Sequence, residues 1–170
     1  TLYSNVVTSR RVDNTAPTGT NIQTTNVGGG TAGMAEAGDT IVFTFSEQIA
    51  PGTIVSGWNG TGTQTITVTG SNNNQITIGG ATITSSFITL AGGTYFQAGK
   101  TIVFANSTIA QSGNTVTITL GAPDKPQWIN TVATAGQMSW PLATTLTDVA
   151  GNTITSGTVL EVQPPNDVEF

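Results

Sequence analysis

The stretch TDVAGNTI, residues 147–154, carries oxygen-bearing side chains at a spacing that suits metal binding. Asp148 and Asn152 offer a carboxylate and an amide oxygen, and calcium takes roughly six to eight such oxygens in proteins. Gly151 allows the backbone to bend between them. Because the chain lacks the D-x-D-x-D spacing of a dedicated calcium loop, such a site needs further ligands from distant segments. The alternative is an Asx turn, in which Asp148 accepts backbone N–H groups without a metal.

The chain contains few side chains of the types that catalyse reactions. It contains no His and no Cys, which excludes a His-based triad, a thiolate nucleophile and an ordinary zinc site. Asp39 and Glu47 are a carboxylate pair of the kind that glycosidases use, but nothing in the sequence fixes their separation. The composition therefore predicts a protein that is not an enzyme.

Tryptophan side chains are candidates for stacking on sugars. Trp58 lies in the Gly-rich stretch SGWNGTG, and Trp128 lies in a long Pro-containing connection, residues 122–137. Exposed rings at these two positions would indicate a carbohydrate-binding module for host or surface glycans. Trp140, in MSWPL, is expected in the core, where large aromatic rings contribute most of their stabilisation.

Two stretches fit the N-x-[ST] acceptor pattern for glycosylation. They are Asn59-Gly-Thr61 and Asn106-Ser-Thr108. Such acceptors are modified on exposed loops of secreted proteins, so Asn59 and Asn106 are candidate glycosylation sites.

The elements that position these groups are predicted to be β-strands. In DTIVFTFSE, Ile41, Phe43 and Phe45 alternate with Thr40, Val42 and Thr44, and TQTITVTG repeats the pattern with Ile66 and Val68. Alternation of this kind indicates antiparallel strands that bury one face. Turn residues separate several such runs, which predicts an all-β sandwich.

The charge balance limits the partners and the location. The net charge is −5 and only four residues are basic, so a nucleic-acid footprint is absent. No stretch reaches the roughly 18 apolar residues of a membrane span. The low charged fraction of 8%, without His or Cys, favours a secreted, extracellular protein at a cell surface. Most of the nine acidic side chains are expected at the protein surface.

Three segments resemble the bacterial Ig-like domains of S-layer proteins and adhesins. VDNTAPTGT (12–20) resembles the linker that opens such domains, AGDTIVFTFSEQIAPGTI (37–54) resembles their early strand pair, and LTDVAGNTI (146–154) resembles the turn before their final strand. Their order along the chain also fits. The resemblance implies an antiparallel Ig-like β-sandwich of seven or more strands that serves as a structural or adhesive module.

The resemblance also implies a set of metal ligands. Some relatives bind calcium where the linker of one domain meets the D-x-x-G-N turn of the next. Carried over, this places Asp13 and Asn14 in the linker and Asp148 and Asn152 in the turn. Because one such domain is present, half of an interdomain site is expected from a neighbouring chain. The side chains listed next match no motif and are candidates by residue type alone: Glu36, Asp39 and Glu47. The chain thus uses either no cofactor or calcium.

The segment TLYSNVVTSRRV, residues 1–12, is β-prone and precedes the linker. An unpaired strand must join its own sheet or another subunit's. In the second case its apolar side chains, Leu2, Tyr3, Val6 and Val7, contact the neighbouring copy, and head-to-tail contacts of this kind propagate into a filament. The architecture is similar to that of donor-strand pilus and matrix-fibre subunits.

The sequence thus predicts an arm over residues 1–12, an Ig-like sandwich over 13–163 and an extended tail over 164–170. The predicted function is that of a structural subunit of an extracellular filament or pilus, assembled from copies of itself by strand donation. The alternatives are a single module of an adhesin or S-layer protein, stiffened by calcium, and a carbohydrate-binding module.

Overall fold

The computed structural model describes residues 12–162 and 167–170. These contain ten strands, one short helix, α1 (Pro51–Ile54), and a 3-10 turn at Pro126–Trp128. The strands are β1 (Gly19–Thr25), β2 (Thr40–Phe45), β3 (Gln64–Ser71), β4 (Gln75–Gly79), β5 (Ile88–Thr89), β6 (Thr101–Ser112), β7 (Thr115–Thr119), β8 (Ala122–Pro123), β9 (Ser139–Pro141) and β10 (Thr158–Leu160). The arm residues Leu2, Tyr3, Val6 and Val7 lie outside the described ranges.

The strands form one antiparallel sheet in the order β1-β2-β7-β6-β3-β4-β5-β9-β10, with β8 paired to β6. The two ends of this path lie close to each other. The Val162 N–H, just after β10, donates to the Asn21 side-chain oxygen in β1 at 2.9 Å. A Cβ atom on Gly19 would lie only 2.6 Å from Val159 Cγ2, so a glycine permits this approach of β1 to β10. The predicted all-β, antiparallel class and the number of strands are confirmed. The division into the two sheets of an Ig-like sandwich stays a prediction.

Alternation along the strands produces the core. In β2, Ile41, Phe43 and Phe45 are at most 1% exposed, whereas the intervening residues are half-buried. In β3, Ile66 and Val68 point inward. The period of two read from the sequence is therefore confirmed in both strands, since successive side chains of a strand point to opposite faces.

Trp140 lies at the centre of the aromatic core, as predicted. It is fully buried, and its ring packs edge-on to Phe43 and Phe45, with ring centroids 4.8 and 5.2 Å away. Its indole N–H donates to the Ile83 carbonyl at 2.9 Å. Burial of roughly 200 Å² of such a ring contributes about 5 kcal/mol at about 25 cal/mol per Å².

Four of the nine carboxylates are buried, so only a narrow majority of the acidic groups is exposed or partly exposed. Asp39, Asp148, Glu161 and Glu169 are at most 2% exposed. Each is buried because backbone or side-chain donors reach it. Asp39, for example, accepts the N–H groups of Val27 at 2.8 Å and of residue 36 at 2.6 Å. Burial raises its pKa, while these hydrogen bonds act to lower it.

Residues 167–170, expected within an extended tail, pack against the sheet. Phe170 is 4% exposed and meets the ring of Tyr95 edge-on, with centroids 6.3 Å apart. Its carbonyl accepts the Gly33 N–H, and the Asp167 carbonyl accepts the Gly136 N–H, both at 2.8 Å.

Within the described residues, no helix is long and apolar enough to cross a membrane.

Candidate cation-binding clusters

Three carboxylates converge where the linker meets the sheet. Asp13 comes from the linker, Glu47 from the turn after β2, and Asp148 from the D-x-x-G-N turn. One oxygen from each lies within 4.8 Å of the other two. We call this group the linker cluster. The linker and the turn that the resemblance pairs therefore meet within one chain, without a contribution from a neighbour.

The turn that carries Asp148 is held by Asn152. The Asn152 backbone N–H donates to Asp148 Oδ1 at 2.8 Å, and its side-chain Nδ2 donates to Oδ2 at 2.7 Å. Gly151 adopts φ +95° to close the turn, a conformation that glycine reaches without strain. Asp148 therefore accepts a backbone N–H as the turn interpretation expects, although the donor is the residue four positions on and not two.

Asn152 contributes its nitrogen rather than its oxygen to this region. The same Nδ2 also donates to the Asp13 backbone carbonyl at 3.0 Å, so the amide fastens the linker to the turn. In this arrangement Asn152 positions Asp148 and Asp13 and is not itself a ligand. Asn14, the fourth predicted ligand, is exposed.

Charge repulsion is evident in the linker cluster. Burial, followed by the charges of Asp13 and Asp148, raises the pKa of Glu47. Burial also acts to raise the pKa of Asp148, but hydrogen bonds from Asn152 and the neighbouring backbone outweigh it and lower the pKa below its usual value. Glu47 was a candidate by residue type alone because it belongs to no ligand motif, although the TFSE turn that carries it was part of the resemblance.

The basic side chains in the described part of the chain do not neutralise this cluster. Lys100 and Lys125 both lie against Trp128, with their ammonium nitrogens 4.9 and 5.2 Å from its ring centroid. Lys125 also pairs with Asp124 at 2.5 Å. An oxygen-only set of three carboxylates fits a hard cation such as calcium.

A second group of carboxylates lies in the interior, and sequence analysis did not identify it. Glu161, Asp167 and Glu169 each place one oxygen within 4.8 Å of the others, and both glutamates are fully buried. We call this group the inner cluster. The signal in the sequence was alternation, because Glu161 follows the inward-facing Val159 by two residues.

Each carboxylate of the inner cluster has one oxygen held by the protein. The Met138 N–H donates to Glu161 Oε2 at 3.3 Å, Gln23 Nε2 donates to Asp167 Oδ2 at 2.9 Å, and Thr24 Oγ1 donates to Glu169 Oε2 at 2.9 Å. Burial above all raises the pKa of Glu161 to about 7 and that of Glu169 to about 8. The neighbouring negative charges add to both shifts.

The tryptophans do not form the exposed pair that sugar stacking requires. Trp58 is 5% exposed, and its indole N–H donates to the Thr61 carbonyl at 3.2 Å. Its Gly-rich stretch folds over the ring, so Trp58 belongs to the core, and the prediction that it binds sugar is wrong. Trp128 is half-buried and has the two lysine ammonium groups over its ring.

The two sequons are accessible. Asn59 and Asn106 are both exposed. Asn59 Oδ1 accepts the Thr61 N–H at 3.0 Å and the Thr61 hydroxyl at 2.7 Å, and Asn106 adopts φ +58° within β6. Glycosylation at these positions stays a prediction.

Comparisons with known proteins give no assignment, because no family model, no curated protein and no solved structure matches this chain.

Proposed function

We propose that the protein is a non-enzymatic structural subunit of an extracellular filament, in which residues 1–12 pair with a neighbouring copy. The observation that carries the proposal is the outer edge of β10, which approaches β1 but forms no strand ladder with it among the described residues. Within residues 12–162 and 167–170, β10 forms a ladder with β9 only, and Val162, which follows β10, donates its N–H to the Asn21 side chain of β1. The outward side chains Leu160 and Val162 are 47% and 48% exposed.

An edge of this kind suits strand addition. Unpaired N–H and C=O groups of an edge strand are a template for another chain, and alternate apolar side chains of the added strand supply specificity. Val12, where the arm joins the linker, is 77% exposed. Val12 therefore does not pack into the core of its own domain.

Deletion of residues 1–12 tests the proposal. The shortened protein is expected to remain folded and monomeric, while the full chain polymerises, as measured by analytical ultracentrifugation. A matched pair separates the apolar contacts from chain length: Val6→Asp should block polymer, whereas Thr8→Asp should not. Leu160→Lys should block the receiving edge in the same assay. Polymer of normal length from the deletion variant would refute strand donation.

The linker cluster supports a second proposal, that calcium fixes the point where the arm leaves the domain. The Asp13 carboxylate lies within 4.8 Å of the other two carboxylates, and the Asp13 backbone carbonyl accepts the Asn152 amide. Calcium at about one hundred times its dissociation constant stabilises a folded state by about 2.7 kcal/mol, which raises the melting temperature. Glu47→Gln should abolish this rise, because it removes one of the three carboxylates and leaves the hydrogen bonds of the Asp148 turn intact. Glu36→Gln, outside the cluster, should leave the rise unchanged. A wild-type melting curve that ignores both calcium and chelator would refute this proposal.

A further inference from the structure

We propose that the inner cluster of Glu161, Asp167 and Glu169 is a calcium site that fastens residues 167–170 to the sheet. The proposal is independent of strand donation and of the linker cluster. It assigns a ligand to the carboxylates that neither the resemblance nor the sequence patterns identified.

Several buried oxygens of the inner cluster have no hydrogen-bond donor within the part of the chain that the structure describes. Although Glu161 and Glu169 are fully buried, Oε1 of each has no hydrogen-bond partner among residues 12–162 and 167–170, and neither has Asp167 Oδ1. The Gln23 side chain that holds Asp167 also has an unpartnered, buried Oε1. A buried acceptor without a donor costs about 1–3 kcal/mol, and more when it is charged. A cation bound among the three carboxylates would satisfy these buried oxygens.

The carboxylate oxygens of the inner cluster have the spacing of calcium ligands. One oxygen from each carboxylate lies within 4.8 Å of the others. Calcium–oxygen bonds of about 2.3–2.6 Å separate opposite ligands by about 4.6–5.2 Å. The oxygens are thus already gathered within the diameter of one calcium shell, and carboxylates that bind through both oxygens, or water, complete it.

The ligand atoms of the inner cluster favour calcium over other metal ions. The ligand atoms are all oxygens, which excludes a preference for zinc or copper. Magnesium requires near-ideal octahedral geometry and retains several waters, whereas calcium accepts an irregular shell of protein oxygens. Lys100 and Lys125 are engaged at Trp128, so neither lysine supplies the positive charge.

Hydrogen bonds from the protein hold the second oxygen of each of the two glutamates in place. Thr24 donates to Glu169, and the Met138 N–H donates to Glu161. Groups that orient ligands in this way typically change metal affinity by about 10–100-fold when they are removed. The cluster joins the end of β10 to residues 167–170 and, through Gln23 and Thr24, both to β1. One ion therefore ties three parts of the chain together.

Isothermal titration of the full chain with calcium chloride, after chelation and above about pH 8, tests the site. The Glu47→Gln background removes the linker cluster, and in that background one calcium ion is expected to bind. Glu169→Gln and Glu161→Gln should each weaken binding by at least about 10-fold. Both variants are expected to fold, because each removes a buried charge without changing the shape of the side chain. Asp124→Asn, at an exposed carboxylate, is the matched control and should bind normally.

Hydrogen exchange provides the second measurement. Calcium should slow exchange of the Glu169 and Phe170 amides in the wild type but not in Glu169→Gln. Calcium binding that survives in both glutamine variants would overturn the proposal. Absence of binding in the Glu47→Gln background would do so as well, and the carboxylates would then share protons instead of a metal.

Discussion

Thr24 connects residues 167–170 to the sheet, and its replacement by Val measures that connection. Thr24 is 6% exposed. Its hydroxyl donates to Glu169 Oε2 at 2.9 Å and accepts the Phe170 N–H at 3.0 Å. Val has nearly the same shape and suits a strand equally well. The substitution therefore removes two hydrogen bonds and leaves little cavity.

The cost of Thr24→Val follows from these two bonds. Above about pH 8, where Glu169 is ionised, a hydrogen bond to its carboxylate contributes about 1.5–3 kcal/mol, and an orphaned buried N–H costs about 1–3 kcal/mol. Since neighbouring effects are not fully additive, we expect a loss of about 3 kcal/mol in the free energy of unfolding. For a chain of this size that loss lowers the melting temperature by roughly 6–12 °C.

Urea denaturation of Thr24→Val and of Thr25→Val checks this estimate. Thr25 is the next residue of β1 and is exposed, so Thr25→Val should change stability by less than about 0.5 kcal/mol. Faster hydrogen exchange at residues 167–170 should accompany the loss in Thr24→Val alone. Equal stabilities of the two variants would show that the hydroxyl does not hold this segment, and the reasoning would fail.

Two further predictions concern packing and pH. Gly70→Ala would place Cβ 2.4 Å from Phe96 Cζ, so we expect overpacking to cost about 1–3 kcal/mol by calorimetry; Gly157→Ala, with open space around it, should be nearly neutral. In calcium-free protein, the pKa values of Glu161 and Glu169 lie at about 7 and about 8, above the ordinary 4.5. The folded state then binds more protons than the unfolded state between these values, so stability should fall as the pH rises from about 4.5 to about 8 and be constant above. A melting temperature that rises with pH between about 4.5 and about 8 would contradict the burial of these two glutamates.

Much of the fold could be predicted because one signal, alternation, dominates the strands. The residues of β2 and β3 that the sequence placed inward are buried, and Trp140 is central. The path of the sheet could not be predicted, since the order of strands depends on contacts between distant segments. The approach of β1 to β10 at Gly19 is one such contact.

The candidate sites show the same limit. Asp13 and Asp148 were identified because they lie in segments that resemble a known junction, and the structure brings them together. The inner cluster was missed because its members, Glu161, Asp167 and Glu169, are few charges in a weakly charged chain and look like surface residues. Only the fold shows that Glu169 is buried and that Asp167 lies beside it. Trp58 failed for the opposite reason, since a Gly-rich loop closes over its ring instead of exposing it.

The most direct test of the proposed function is cryo-electron microscopy of the assembled native material. Strand donation predicts filaments in which residues 1–12 of each subunit form a strand beside β10 of its neighbour, next to Leu160. Filaments or discrete particles in which residues 1–12 pair only within their own subunit would contradict the proposal.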